Sequence, residues 1–302
     1  MTAGGRLPRL AGAIVDKAPA LGQRNFRRYF YGQICSVLGT FIQAVALSWL
    51  VYRITGSPAL LGLTAFLSQA PQLVVSPLAG VLIDRFDRRR VLIVLQCVFA
   101  AQALLLAGLV AFDLIQVWHI LALALLLGVL NSFDLPSRQS LLIYLVDDRS
   151  TLANAVALNA AVVHSGRLIG PPVAGLLLAV VPESVCFLIN ALSYLGPIYA
   201  VLGIRAQMPR QQNLKTGAAL LEVWAYIRQS FEAKVALTAV AMVNATASSY
   251  VVLMPVFAKD VFAGNAQSLG ILLGMGGAGA LIFGDWHLGA VLTGAWRPAG
   301  WA

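Results

Sequence analysis

Few residues in this chain of 302 carry charge, and the grouped ones suggest only a narrow range of chemistry. The densest group is Gly80-Val-Leu-Ile-Asp84-Arg85-Phe-Asp87-Arg88-Arg89-Arg90. Here Gly80 would let two helices approach closely. Asp84 would complement the positive end of a helix dipole. Arg85 would pair with a carboxylate at the end of a neighbouring helix, with Arg88 and Arg89 beside it. Such pairs can latch helix ends together in one state and release them in another; the same arginines can also anchor a loop to anionic lipid. A second group, Asn131-Ser-Phe-Asp134-Leu-Pro136-Ser-Arg138-Gln139, supplies Asp134 as the partner expected for Arg85. Pro136 would end or bend its helix.

The third group runs from Asn159 through His164-Ser-Gly166-Arg167 to Gly170-Pro171-Pro172-Val-Ala-Gly175. Gly170 and Gly175 permit close packing, and Pro171 and Pro172 remove backbone donors and can form a hinge. Arg167 lies deep within an apolar run, where a charge costs at least about 2.5–3.5 kcal/mol unless it meets a cavity or a partner. It is read either as a substrate or coupling contact or as half of a structural pair. His164, three residues earlier, shares its face and is read first as a packed, neutral histidine, with a titrating group as the alternative. Gln43 and Asn244, polar residues within apolar runs, are read by default as interhelical hydrogen-bonding groups, with a cavity-facing role as the alternative. Cys35, Cys97 and Cys186 are scattered, with no metal-ligand spacing. With no nucleophile elbow and no phosphate loop, neither an enzyme, a cofactor nor a metal site is expected.

The elements that must position these residues follow from composition. The chain is 59% hydrophobic and 11% charged, with a mean hydropathy of +0.81; soluble domains carry about 25% charged residues. Apolar runs of spanning length, roughly 20 residues, fall at 29–52, 59–83, 91–112, 117–136, 153–181, 185–204, 235–258 and 267–284. The expected fold is therefore an all-α membrane protein with eight spans. No span carries an acid near its middle. The segment 1–28 is basic and 205–234 is a polar loop separating six spans from two, with an interfacial helix expected over 218–232. The Trp-rich tail 285–302 is too interrupted to be a ninth span.

The formal charge of +9 is explained by sidedness rather than by nucleic acid. If the N-terminus is cytoplasmic, seventeen of the 21 Lys and Arg lie in cytoplasmic segments and only Arg53 and Lys259 lie outside, the asymmetry expected of a multi-spanning protein.

The segment 80–90 resembles the loop signature G-x-x-x-D-R-x-G-R-[RK] of major facilitator superfamily transporters. Gly80, Asp84, Arg85, Arg88 and Arg89 match, while Asp87 replaces a glycine. Residues 131–139 and 159–175 are similar to stretches of the multidrug and siderophore exporter branch, with Gly166 in place of an alanine. The resemblance, over about residues 20–284, implies a twelve-helix fold of two six-helix halves with a site between them at mid-depth. This chain would supply one half, 29–204, and the first two helices of the other, 235–284. It further implies a monomeric bacterial inner-membrane exporter of hydrophobic small molecules or siderophores, coupled to protons by alternating access. The alternative is a truncated fragment that does not transport.

Overall fold

The computed structural model describes residues 18–146, 149–204, 228–247, 249–276 and 279. The expected interfacial helix at 218–232 falls largely outside the described residues, and the tail 285–302 wholly so. Among the described residues, six helices are long and apolar enough to cross a membrane: α1 (Arg24–Thr55), α2 (Pro58–Arg85), α3 (Arg88–Ala111), α4 (Val117–Leu142), α5 (Arg149–Leu178) and α6 (Glu183–Leu202). Three shorter helices follow, α7 (Phe231–Ala247), α8 (Ser249–Val256) and α9 (Ala266–Gly276). The run 235–258 is thus divided between α7 and α8, and a π-helical turn, Phe257–Val261, continues it.

Helix ends are set by local chemistry. Gly56 takes a left-handed φ of 59° and its N–H returns to the Tyr52 carbonyl, closing α1. The Ser57 hydroxyl then accepts from Leu60 N, and Pro58 starts α2 with its φ already suited to a helix. Asp87 caps α3 by accepting from Arg89 N at 2.9 Å and Arg90 N at 3.4 Å, worth about 1 kcal/mol. Asn265 caps α9 through bonds from Gln267 N and Ser268 N.

Two prolines behave differently. Pro136 was expected to end or bend α4, but α4 continues to Leu142. A membrane helix tolerates the lost bond when neighbouring helices support it. The consequence is that Asp134 stands eight residues inside the end of α4 instead of at its edge. Pro197 coincides with a break: α6 is two segments, Glu183–Ser193 and Leu195–Leu202, joined at Tyr194. Pro197 has no N–H to give the Ser193 carbonyl.

Lipid tails are as apolar as leucine, so helices associate through close packing and interhelical hydrogen bonds. α1 packs against α5 and both segments of α6, α2 against α4, and α3 against α6 and α4. The contacts centre on small residues. A Cβ on Gly32 would meet the Gly196 carbonyl oxygen at 2.8 Å, and one on Gly128 would meet the Leu67 carbonyl oxygen at 2.6 Å. Gly166 lies against Val37 and Phe41, and Gly170 against Phe41. Gly80 differs from the sequence expectation: nothing among the described residues lies within 4 Å of a Cβ placed there.

This contrast is testable. Gly170→Leu should destabilise the protein by about 1–3 kcal/mol through overpacking, whereas Gly80→Ala should be neutral. Thermal unfolding in detergent measures both, and a Gly80→Ala loss as large as that of Gly170→Leu would contradict the packing described.

Candidate functional site

At the arginine-rich end, α1, α3 and α4 share a polar cluster. The Arg138 Nε donates to Asp134 Oδ2 at 2.6 Å, one helical turn along α4. Arg138 Nη1 donates to Gln33 Oε1, and Gln96 Nε2 donates to Asp134 Oδ1 at 3.1 Å. The pair is nearly enclosed, with side chains 12% and 16% exposed, and Tyr29 is buried beside it.

The neighbouring loop fastens helix ends. Arg88 is buried and stacks over the Tyr144 ring at 5.1 Å. Arg89 donates to the Leu202 carbonyl, and Arg28 donates to the Gly203 carbonyl at 3.0 Å. Two guanidinium groups thus neutralise the negative end of α6. Asp84 and Arg85 lie in the last turn of α2, and their side chains lie outside the described residues. The acid that caps a helix N-terminus here is Asp87, three residues beyond Asp84.

Deeper in, Gln43 makes the interhelical hydrogen bonds of its default reading and does not face a cavity. It is buried and donates to Gln102 at 3.3 Å while accepting from Asn190 at 2.8 Å. Gln102 donates to the Leu123 carbonyl, and Asn190 also reaches the Tyr194 hydroxyl. This network ties α1, α3, α4 and α6 together and turns Gln43 inward. Gln96 and Gln102 were missed by the sequence reading; two glutamines in the apolar run of α3 were the available signal. The side chain of Asn244, in α7, lies outside the described residues.

α5 presents three faces. Ala155, Asn159, Val162, Gly166 and Gly170 recur at helical spacing, and the last two meet α1. Asn159, half-buried, therefore belongs to the α1 face and not with Arg167. A second stripe holds His164, Arg167, Pro171 and Gly175, spaced three, four and four apart. Its outer part touches α9: a Cβ on Gly270 would meet both Gly175 Cα and the Pro171 carbonyl oxygen at 2.7 Å. Gly274 rests on the Pro172 ring. His164 and Arg167 are exposed on the same stripe. On the opposite side of α5, Ile169 and Leu176 are exposed and apolar, as a lipid face would be.

The end away from the arginines carries a second contact between early and late helices. The Tyr52 hydroxyl donates to Asp260 Oδ2, and Lys259 lies 5.3 Å from the Tyr52 ring centroid. Next along α1, Arg53 Nε donates to the buried Glu183 at 2.7 Å. No sequence signal marked Tyr52 or Asp260, because their pairing depends on how α1 and the turn after α8 meet.

The arrangement has no cluster of metal-binding side chains among the described residues. It presents exposed His164 and Arg167 on α5 and ties helix ends through arginine bonds. A family model described as a transmembrane secretion effector matches residues 16–290. The chain belongs to this family of major facilitator superfamily transporters. It is 28% identical over 256 residues to a "Staphyloferrin A transporter" of Staphylococcus aureus (strain NCTC 8325 / PS 47), covering 84% of this chain and 64% of that protein. It is 25% identical over 160 residues to "Macrolide efflux protein A" of Streptococcus pyogenes, covering 52% of this chain and 39% of that one. The chain thus spans less than two thirds of the length of either relative.

Removing one member of the Asp134–Arg138 pair would strand a charge inside the bundle, a loss of about 3–5 kcal/mol. Arg138→Leu should therefore destabilise more than Asp134→Asn with Arg138→Gln combined. A double-mutant cycle on detergent unfolding checks this, and additive losses would show that the pair is uncoupled.

Proposed function

We propose that the protein takes part in efflux of small hydrophobic molecules or siderophores across a bacterial inner membrane, by alternating access coupled to protons, as a monomer with a cytoplasmic N-terminus. The observation that carries this reading is the α5 stripe. Its outer part packs against α9, and its inner part offers His164 and Arg167 to the space between α1–α6 and the later helices. Transporters of this superfamily move two such units against each other, and polar groups beside the seam support the reading.

The orientation rests on the Lys/Arg asymmetry. It makes the Tyr52–Asp260 end extracytoplasmic. Contacts there, at Tyr52–Asp260 and Gly175–Gly270, support a state closed to the outside. Along α7, Phe231, Lys234, Val235 and Met242 are exposed, which supports separated units at the cytoplasmic end. Asp134, placed well inside α4 and bound by Arg138 and Gln96, ties α4 to α1 and α3 at this end, a link that alternating access would have to loosen.

The test is accumulation of a lipophilic dye and a siderophore in cells expressing the full chain, with and without a protonophore. The expected result is lower accumulation, restored by the protonophore and by Asp134→Asn. Equal accumulation with and without the protein would sink the proposal.

Tyr52→Phe should loosen the outer closure. A cysteine placed at Ala266 should then react faster with a membrane-impermeant maleimide by roughly tenfold, the loss of one charge-assisted hydrogen bond. An unchanged rate would show that Tyr52 does not hold the two units together.

A further inference from the structure

Arg167 stands eleven residues before the end of α5 at Leu178. At about 1.5 Å per residue it lies roughly 16 Å from that end, close to the middle of a hydrocarbon core about 30 Å thick. Its side chain is exposed and has no hydrogen bond or ion pair among the described residues.

The acids of the described set are engaged elsewhere or stand at the helix ends. Asp134 holds Arg138 and Gln96. Glu183 holds Arg53, and Asp260 holds Tyr52. Asp87 caps α3, and Asp113 lies in the turn between α3 and α4. Glu232 accepts from Ser230 at the start of α7; its own backbone N–H, then the Ser230 hydroxyl, hold its carboxyl below the usual value. Asp84 sits in the last turn of α2.

The position of Arg167 decides whether lipid or ligand faces it. Arg167 shares its stripe with Pro171 and Gly175, which touch α9, and lies half a turn from the apolar Ile169 and Leu176. Its surroundings are therefore the space between the two units and not the acyl chains. A guanidinium at that depth is costly without a counter-charge, and it offers five donors in a planar fork suited to a carboxylate or phosphate. His164, one turn away on the same stripe, adds a further donor or acceptor.

We infer that Arg167 is a substrate-docking cation on the inner face of α5, and that the solute it selects is an organic anion bearing a carboxylate or similar oxyanion beside an apolar body. This rests on the transport reading above and narrows its substrate class. An anion neutralises the guanidinium and satisfies its donors in one step. A cation brought to the same place adds repulsion to an unpaid desolvation, so discrimination follows from the sign of the charge.

The probes are two xanthene dyes of similar ring system, anionic fluorescein and cationic rhodamine 6G, titrated by fluorescence polarisation into the purified full chain in nanodiscs. Fluorescein should bind tighter than rhodamine 6G by roughly tenfold or more, the range of a charge-assisted hydrogen bond. Arg167→Gln should abolish that preference, and Arg167→Lys should restore most of it, with all three proteins eluting as one monodisperse species. A preference for rhodamine 6G in the unaltered protein, or a fluorescein preference that survives in Arg167→Gln, overturns the inference. Should Arg167→Gln fail to elute intact, Arg167→Lys and the unaltered protein carry the test through the dye preference itself. Failure of the transport reading has a different signature: fluorescein binds through Arg167, yet cells expressing the chain retain the dye as controls do.

Discussion

A helix in hydrocarbon has no water to complete its hydrogen bonds, so each polar side chain it carries must be answered by another part of the protein. In this molecule the rule holds through most of the first six helices. Gln43 is answered by Gln102 and Asn190, and Asp134 by Arg138 and Gln96. Arg53 is answered by Glu183. These partners come from α1, α3, α4 and α6, and a bond between two fixed points on two helices sets their register as well as their distance. The polar interior therefore does what an apolar interface in lipid does poorly: it distinguishes one arrangement of helices from its neighbours one turn away. Arg167 departs from this rule at mid-depth, as the buried Ser137 hydroxyl and Gln96 Oε1 do nearer the arginine-rich end.

Small residues supply the complementary constraint. Close helix approach needs missing side chains, and the glycines divide into two sets by what they touch. Gly32, Gly128, Gly166 and Gly170 lie against partners within α1–α6. Gly175 meets Gly270 of α9. The first set holds a unit together and tolerates little movement; the second lies on a seam between elements far apart in the chain. On α5 both occur within nine residues, because Gly166 and Gly170 face α1 while Gly175 faces α9. A single helix thus belongs firmly to one unit and presents a flat, bare surface to the other.

The first six spans and their order were legible because apolar length alone determines whether a helix can cross, and because the arginines cluster on alternate connections. Boundaries moved where local chemistry outweighed hydropathy, as at Pro136, which α4 passes through, and at Pro197, where α6 breaks. The site was only partly legible. Depth along a helix can be counted, so Arg167 stood out. Direction around it cannot be fixed until neighbours are known. Gln43 therefore stood between an interhelical bond and a cavity role until its partners were known, and Asn159, in one sequence group with Arg167, shares the α1 face instead. Asp87 shows a further limit: the family pattern drew attention to it as a departure, whereas its chemistry is that of an ordinary helix cap.

The placement of Arg167 relative to the seam bears on how occupancy and closure would influence each other in the proposed transporter. Pro171 is one turn from Arg167 on the same stripe, about 6 Å along the axis, and its carbonyl already touches Gly270. The outer closure and the docking cation thus lie on one continuous helix, with Pro171 and Pro172 at their junction. Any rotation of α5 that parts Pro171 and Gly175 from α9 also swings Arg167 relative to the later helices. A ligand that bridges Arg167 to those helices would resist or assist that rotation according to which separation it fits better. A solute can shift such an equilibrium only by its difference in affinity for the two states, and a cation located one turn from the seam is where that difference would be largest. The Tyr52–Asp260 bond, at the same end but on α1, would then set how much of that difference is needed before the closure yields.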